Sequence, residues 1–222
     1  MATIGVVLSG CGVFDGAEIH EAVLTMLAID EAGHDMVLMA PRGPQMHVVD
    51  HATGQVTGET RDVFVESARI ARGKLRDLAT VQADELDALV FPGGFGVAKN
   101  LCDFAVAGSA ARPHAEVARL VKALHRAGKP IGFACISPAL AATIFRDVGI
   151  PGVLLTVGDA DDDAAVAMRT MGADVVGCPV REVRVDRARK IVSTPAYMTA
   201  SRITEVRDGV KAMVEHTLAL LG

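Results

Sequence analysis

A cysteine placed where a β-strand gives way to a helix can act as a nucleophile, and Cys135 stands at such a point. It lies in Gly132-Phe133-Ala134-Cys135-Ile136-Ser137-Pro138, where an apolar strand ends and a helix begins within two residues. A thiol on such a turn is exposed above the sheet and faces the free N–H groups of a helix start. Those donors and the helix macrodipole favour an anion, so the sequence predicts a thiol pKa below the reference of about 8.5. Pro138 suits the first helical turn, where its missing donor costs nothing.

Pro92-Gly93-Gly94-Phe95-Gly96 follows a second apolar strand. Glycines there let the backbone fold tightly and aim N–H groups into a crevice. One of these amides, from Gly93 or Gly94, could join the Ile136 N–H as an oxyanion hole for an adduct on Cys135. Neither phosphate-loop glycine pattern occurs. Glu18 and Glu21 follow the loop Ser9-Gly10-Cys11-Gly12 and, three residues apart, share a helix face. A protonated carboxyl at that helix end could hydrogen-bond the thiolate and move protons. Acids at a helix start are also ordinary dipole partners, and the spacing alone does not choose between the two glutamates.

The chain has four cysteines, none in a C-x-x-C pair and none with zinc-finger spacing. Cys11, on a loop at the presumed edge of the site, is a candidate redox partner for Cys135 or a packed loop thiol. Cys102 and Cys178 read as structural. His47 and His51 fall on a predicted hairpin, where a metal site is not expected. The run Asp159, Asp161, Asp162 and Asp163 reads as a solvated helix cap, because the glycine and closing glutamate of a calcium loop are missing. No metal and no cofactor is expected.

The elements that must position these residues alternate. Thr3–Leu8, Asp35–Ala40, Leu86–Phe91 and Ile131–Ala134 are short apolar strands, and strands are expected near Val183–Val185 and Ile191–Ser193. Helical spacing covers Glu18–Ala32, Pro113–Ala127, Pro138–Arg146, Asp161–Met171 and Ile203–Leu221. Uninterrupted apolar strands imply a mainly parallel sheet with helices on both faces. Gln45–Thr60 instead alternates around Thr53-Gly54 and predicts a small surface hairpin. No linker or repeat is visible, so residues 1–222 are taken as one α/β domain. The loops Ser9–Gly16 and Pro92–Lys99 and the Cys135 turn all leave carboxyl ends of strands, where such sheets bind ligands.

Half of the 222 residues are hydrophobic, yet no uncharged apolar run approaches the ~20 residues that span a bilayer. The start lacks a basic segment before an apolar stretch, so the expectation is a cytoplasmic protein. A net charge of −5, with no Trp and one Tyr, argues against nucleic-acid partners.

Several stretches resemble the glyoxalase ElbB family, also described as isoprenoid-biosynthesis proteins with an amidotransferase-like domain. They are IGVVLSGCGVFDGAEIHEAVLTML (4–27), ETRDVFVESARIAR (59–72), LDALVFPGGFGVAKNL (86–101), GKPIGFACISP (128–138) and KIVSTPAYM (190–198). That family belongs to the class I glutamine-amidotransferase-like superfamily, with the PfpI-type proteases and the Parkinsonism-associated deglycases. The resemblance implies a flavodoxin-like three-layer sandwich, with Cys135 as nucleophile, Glu21 as the helix-1 glutamate, Gly94 and Ile136 as oxyanion amides, and a homodimer. It also implies a cofactor-independent glyoxalase acting on a small aldehyde or dicarbonyl, converting glyoxal to glycolate, an activity that can reflect deglycation. The chain departs from amidotransferases in one respect. After the strand that follows the elbow helix, Leu154-Leu155-Thr156-Val157-Gly158-Asp159 carries no histidine, which argues against glutaminase and protease activity. A rival reading makes Cys135 a redox-sensing or ligand-binding thiol in a stress-responsive partner of isoprenoid metabolism.

Overall fold

Apolar runs of four to six residues, too short for a stable helix, become strands because a sheet lets each bury both of its faces. The computed structural model describes residues 1–222. In chain order the elements are β1 (Thr3–Val7), α1 (Ile19–Glu31), β2 (Asp35–Ala40), β3 (Val49–Asp50), β4 (Gln55–Val56), α2 (Val63–Ile70), β5 (Arg76–Asp77), β6 (Ala88–Phe91), α3 (Phe104–Ala107), α4 (Ala115–Arg126), β7 (Ile131–Ala134), α5 (Pro138–Asp147), β8 (Leu154–Leu155), α6 (Asp163–Thr170), β9 (Asp174–Val175), β10 (Arg184–Asp186), β11 (Ile191–Thr194) and α7 (Ile203–Leu218). A π-helical turn, Val97–Leu101, follows the diglycine loop.

Seven strands form one sheet in the order β10-β11-β7-β6-β1-β2-β5. Every pairing in it is parallel except β10 with β11. Strands β6, β7 and β11 are buried at every position. Helix α1 packs with α7, while α4 packs with α5 and against β6 and β7, so helices flank the sheet. This is the flavodoxin-like α/β architecture with a mostly parallel sheet. Phe91 at the end of β6 stacks on Phe133 of β7, with ring centroids 5.1 Å apart and planes 3° from parallel. Both rings are fully buried, and they sit just before the two loops that carry Gly93 and Cys135.

The hairpin is smaller than expected: only Val49–Asp50 and Gln55–Val56 pair, around a turn in which Asp50 O accepts from Gly54 N–H at 2.7 Å. Residues 45–48 and 57–60 are not strand, because Gln45 and Met46 are engaged elsewhere, by Arg61 O and by Asn100 Oδ1. Helix α2 was not anticipated. Its buried face is Val63, Glu66 and Ser67, so it shows little apolar periodicity. Asp62 caps it, and the buried Glu66 meets Arg69 at 2.9 Å. Strands β8 and β9 pair with each other and stand outside the main sheet. The acidic run is the expected cap: Asp162 accepts from Ala164 N–H at 2.8 Å at the start of α6.

The strand order reverses direction at β1 and β6. The loops after β1, β6, β7 and β11 all leave carboxyl ends of strands beside this point, where open α/β sheets bind ligands.

Candidate functional site

Cys135 has φ +60°, a left-handed conformation that costs a non-glycine residue roughly 1–2 kcal/mol. The surroundings hold it there. Cys135 N–H donates to Thr194 O at 3.0 Å, and the Ser137 hydroxyl donates to Ala134 O at 2.7 Å and reaches Phe91 O at 3.1 Å. The elbow is thus tied to the ends of both neighbouring strands, with Pro138 opening α5 as expected.

Glu21 faces this turn. Its carboxylate accepts from Gly93 N–H at 2.8 Å through Oε2 and from Tyr197 N–H at 3.1 Å through Oε1, and it hydrogen-bonds the Cys135 thiol. A Cβ added at Gly93 would overlap Cys135 Cβ, and would lie 2.5 Å from Glu21 Oε2 and 3.0 Å from Cys135 Sγ. Only glycine fits between acid and thiol. Gly94 has φ +97°, and a Cβ there would overlap Glu18 N and Gly16 O. The backbones of the β1 and β6 loops therefore touch directly.

The structure resolves the choice between the two glutamates. Glu21 is fully buried against Cys135. Glu18 is the N-cap of α1: its Oε2 accepts from Glu21 N–H at 2.7 Å, and its own N–H donates to Gly93 O at 3.0 Å. Glu18 thus caps the first turn of α1 and fixes where that turn places Glu21.

Two expectations need correction. First, Cys135 is not an exposed thiol with a lowered pKa. The residue is 8% exposed, and burial pushes its thiol well above the ordinary value, with the Glu21 charge adding to the rise. The N–H groups of Gly94 and Ile136 pull the other way and lose to these two effects. Second, Gly93 offers no free amide to an incoming oxygen, because its N–H is held by Glu21. Gly94 and Ile136 remain as donors at the sulfur. Cys11, read from the sequence as either a redox partner or a packed loop thiol, is a half-buried free thiol whose pKa is raised by burial, then by Glu66, with Asp15 adding and Arg69 opposing. Those features favour the packed loop thiol.

Burial also raises Glu21, to about 7; the nearby Glu18 adds to this, while the N–H groups of Tyr197 and Gly93 and the Cys135 thiol oppose it. Glu21 therefore ionises before the thiol, and its charge then keeps the thiol protonated. At neutral pH the pair is a thiol beside a carboxyl poised at its midpoint. Cys102 and Cys178 are buried, with thiols pushed up to about 12 and about 11, as structural residues should be.

His51 is engaged by the loop after β1, its Nε2 accepting from Phe14 N–H at 3.2 Å, and no group of three or more His, Cys, Asp or Glu gathers to hold a metal ion. The loop that follows β8 carries no histidine, and His216, the one histidine beyond Cys135, is bonded to Ala212 O within α7. The sequence reading missed Tyr197 and His20. The phenol of Tyr197 lies 2.7 Å from His20 Nδ1. The signal available was positional: Pro195-Ala196-Tyr197 leaves the carboxyl end of β11, next to the strand that carries Cys135.

No profile of a known protein family matches the chain. It is 46% identical over its whole length to the human glutamine amidotransferase-like class 1 domain-containing protein 3, mitochondrial, spanning 84% of that protein. It is 44% identical over its whole length to the rat ES1 protein homolog, mitochondrial, spanning 85% of it. Among solved structures, an isoprenoid biosynthesis protein with amidotransferase-like domain from Ehrlichia chaffeensis superposes with TM-score 0.93 and 36% identity, each chain covered completely. A ThiJ/PfpI domain protein from Brachyspira murdochii shares the fold at TM-score 0.59 and 16% identity, over 98% of this chain and 96% of that one. The expected cytoplasmic location fails against these relatives, for both the human and the rat protein are named mitochondrial. The expectation rests on the lack of a basic segment before an apolar stretch, a pattern that marks secretory signals and is silent on organelle addresses.

Proposed function

We propose that this chain, which belongs to the class I glutamine amidotransferase-like family within the DJ-1/ThiJ/PfpI superfamily, is a cofactor-independent glyoxalase in which Cys135 is the nucleophile and Glu21 the acid/base. One observation carries the reading. A fully buried carboxyl that accepts from Gly93 and Tyr197 N–H is enclosed against the thiol with no histidine at the usual place, so the group placed to move its proton is Glu21 itself, whose pKa burial raises toward neutrality.

The reaction runs without redox partners. The Cys135 sulfur bonds to one carbonyl carbon of glyoxal as Glu21 takes the thiol proton. The resulting oxyanion is held by the Gly94 and Ile136 amides and then protonated, giving a hemithioacetal. Glu21 removes the proton from that carbon and returns one to the neighbouring carbon. The electron pair moves with it, so one carbon is oxidised to a thioester while the other is reduced to an alcohol. Water cleaves the carbon–sulfur bond, releasing glycolate and restoring the thiol. The acid pair does in two proton transfers what a Cys-His pair does by making a thiolate in advance.

The rival redox-sensor reading needs an exposed thiolate. Burial and the Glu21 charge act against one, which favours the enzyme. The same proposal includes a homodimer. Ile19, Val23 and Leu27 recur every four residues on one face of α1 and are 43%, 46% and 45% exposed, an apolar stripe a second copy could cover.

The deciding experiment is glyoxal consumption with glycolate detection for the parent and Cys135→Ala. Loss of glycolate formation in the variant is the expected result. Glycolate formed at the parent rate by Cys135→Ala would overturn the mechanism.

A further inference from the structure

We infer that Tyr197 is a positioning residue whose side chain, latched by His20, holds its own backbone N–H on Glu21 and so sets the proton affinity of the group that serves Cys135. This rests on the reading of Glu21 as the site's acid/base.

The geometry begins with a strained turn. Thr194 ends β11 and gives its carbonyl to Cys135 N–H at 3.0 Å. The chain then passes through Pro195 to Ala196, at φ +44°, a left-handed conformation for a non-glycine residue. Such a residue persists only where its surroundings over-determine it. The strain has a visible result. It turns Tyr197 so that its N–H meets Glu21 Oε1 at 3.1 Å while its phenol meets His20 Nδ1 at 2.7 Å. The two rings also pack, with centroids 5.8 Å apart.

The two donors on Glu21 are held differently. Gly93 N–H belongs to a loop fixed by backbone contact with α1. Tyr197 N–H belongs to a short turn whose contact with α1 runs through a half-exposed side chain and an exposed histidine. Freeing the phenol removes the turn's side-chain link to α1 and leaves it held by the buried Ala196, by packing on α7 and by internal bonds such as Met198 N–H to Pro195 O at 3.0 Å and Ala200 N–H to Ala196 O at 3.0 Å.

Other charges around Glu21 do not substitute for this contact. Helix α1 presents Glu18 and His20, the elbow presents Cys135, and the turn after β11 presents Tyr197. Helix α7, which also packs on α1, places Arg207, Asp208 and Lys211 beside Glu31 at the far end. Helix α2 directs Glu66 and Arg69 to Cys11.

A carboxylate that loses an N–H donor is harder to ionise, so weakening the Tyr197 contact must raise the Glu21 midpoint. The test is a carbon-13 NMR titration of the Glu21 carboxyl, assigned through Glu21→Gln, in the substrate-free protein. Tyr197→Phe and His20→Ala should each raise the midpoint by about half a pH unit. His20→Asn, which places an acceptor oxygen near the position of Nδ1, should return it toward the parent value. An unmoved midpoint in both Tyr197→Phe and His20→Ala would overturn the inference, and so would an equal rise in His20→Asn. Because the titration uses no substrate, it succeeds or fails independently of glyoxal turnover. Both altered side chains reach solvent, so the variants should fold.

Discussion

The acid and the thiol act as a unit, and substitutions at Glu21 should separate thiol reactivity from turnover. The negative charge of Glu21 holds the Cys135 proton in place. Glu21→Gln should therefore shift the alkylation-versus-pH curve of Cys135 to lower pH, as read by iodoacetamide labelling and mass spectrometry. The same variant should lose about 10²–10⁴ in glyoxal turnover, because its proton carrier is gone. A curve displaced to higher pH would mean that a protonated glutamate stabilises the thiolate, which is what the sequence taken alone suggests. The buried carboxyl also marks stability. Its folded pKa of about 7 stands above the reference of about 4.3 for an unfolded glutamate. Between those values the folded state keeps a proton that the unfolded state has lost, so this group makes stability fall as pH rises, by up to about 1.4 kcal/mol per pH unit, and the effect levels off above about 7. Urea denaturation of Glu21→Gln across that window should show a flatter pH slope than the parent.

Elements hold the site through backbone contact, and substitutions there should be severe. Gly93→Ala must push a methyl between Cys135 and Glu21. It should abolish glyoxal turnover even where circular dichroism shows a folded chain. Phe91→Ala removes one of two stacked, fully buried rings beneath the site and should cost about 3–5 kcal/mol in chemical denaturation. At this scale the sequence was readable where burial is simple. The strands leading to Gly93 and Cys135 are unbroken apolar runs, and Pro138 marks the start of α5. It was not readable where polar groups are buried in pairs. Helix α2 hides Glu66 and Ser67, a pattern that looks solvent-facing until Arg61, Arg69 and the Gly10 amide are seen against it. The thiol was misread for a related reason. A helix start lowers a pKa, but a neighbouring carboxylate and the loss of water raise it more. Neither effect is visible until the fold brings α1 onto the elbow.

Over the whole molecule, the site is assembled from loops after four different strands, so its geometry depends on the sheet being complete. The α1 stripe gives a prediction at this scale. Val23→Glu should convert the proposed dimer to monomer in light scattering after size exclusion, leaving the far-ultraviolet spectrum intact. A parent that elutes as monomer would remove the dimer from the proposal. The glycine cradle has a wider consequence. Gly16, Gly94 and Gly96 press main chain against main chain, and Gly93 lies bare against the side chains of Cys135 and Glu21, so none of the four positions accepts a side chain. The side chains free to vary on these two loops stand further out: Phe14 and Phe95 are 38% and 48% exposed, on loops joined by Phe95 N–H to Val13 O at 2.8 Å. On the proposed function, a library aimed at new aldehydes would leave the glycines untouched and vary those two rings.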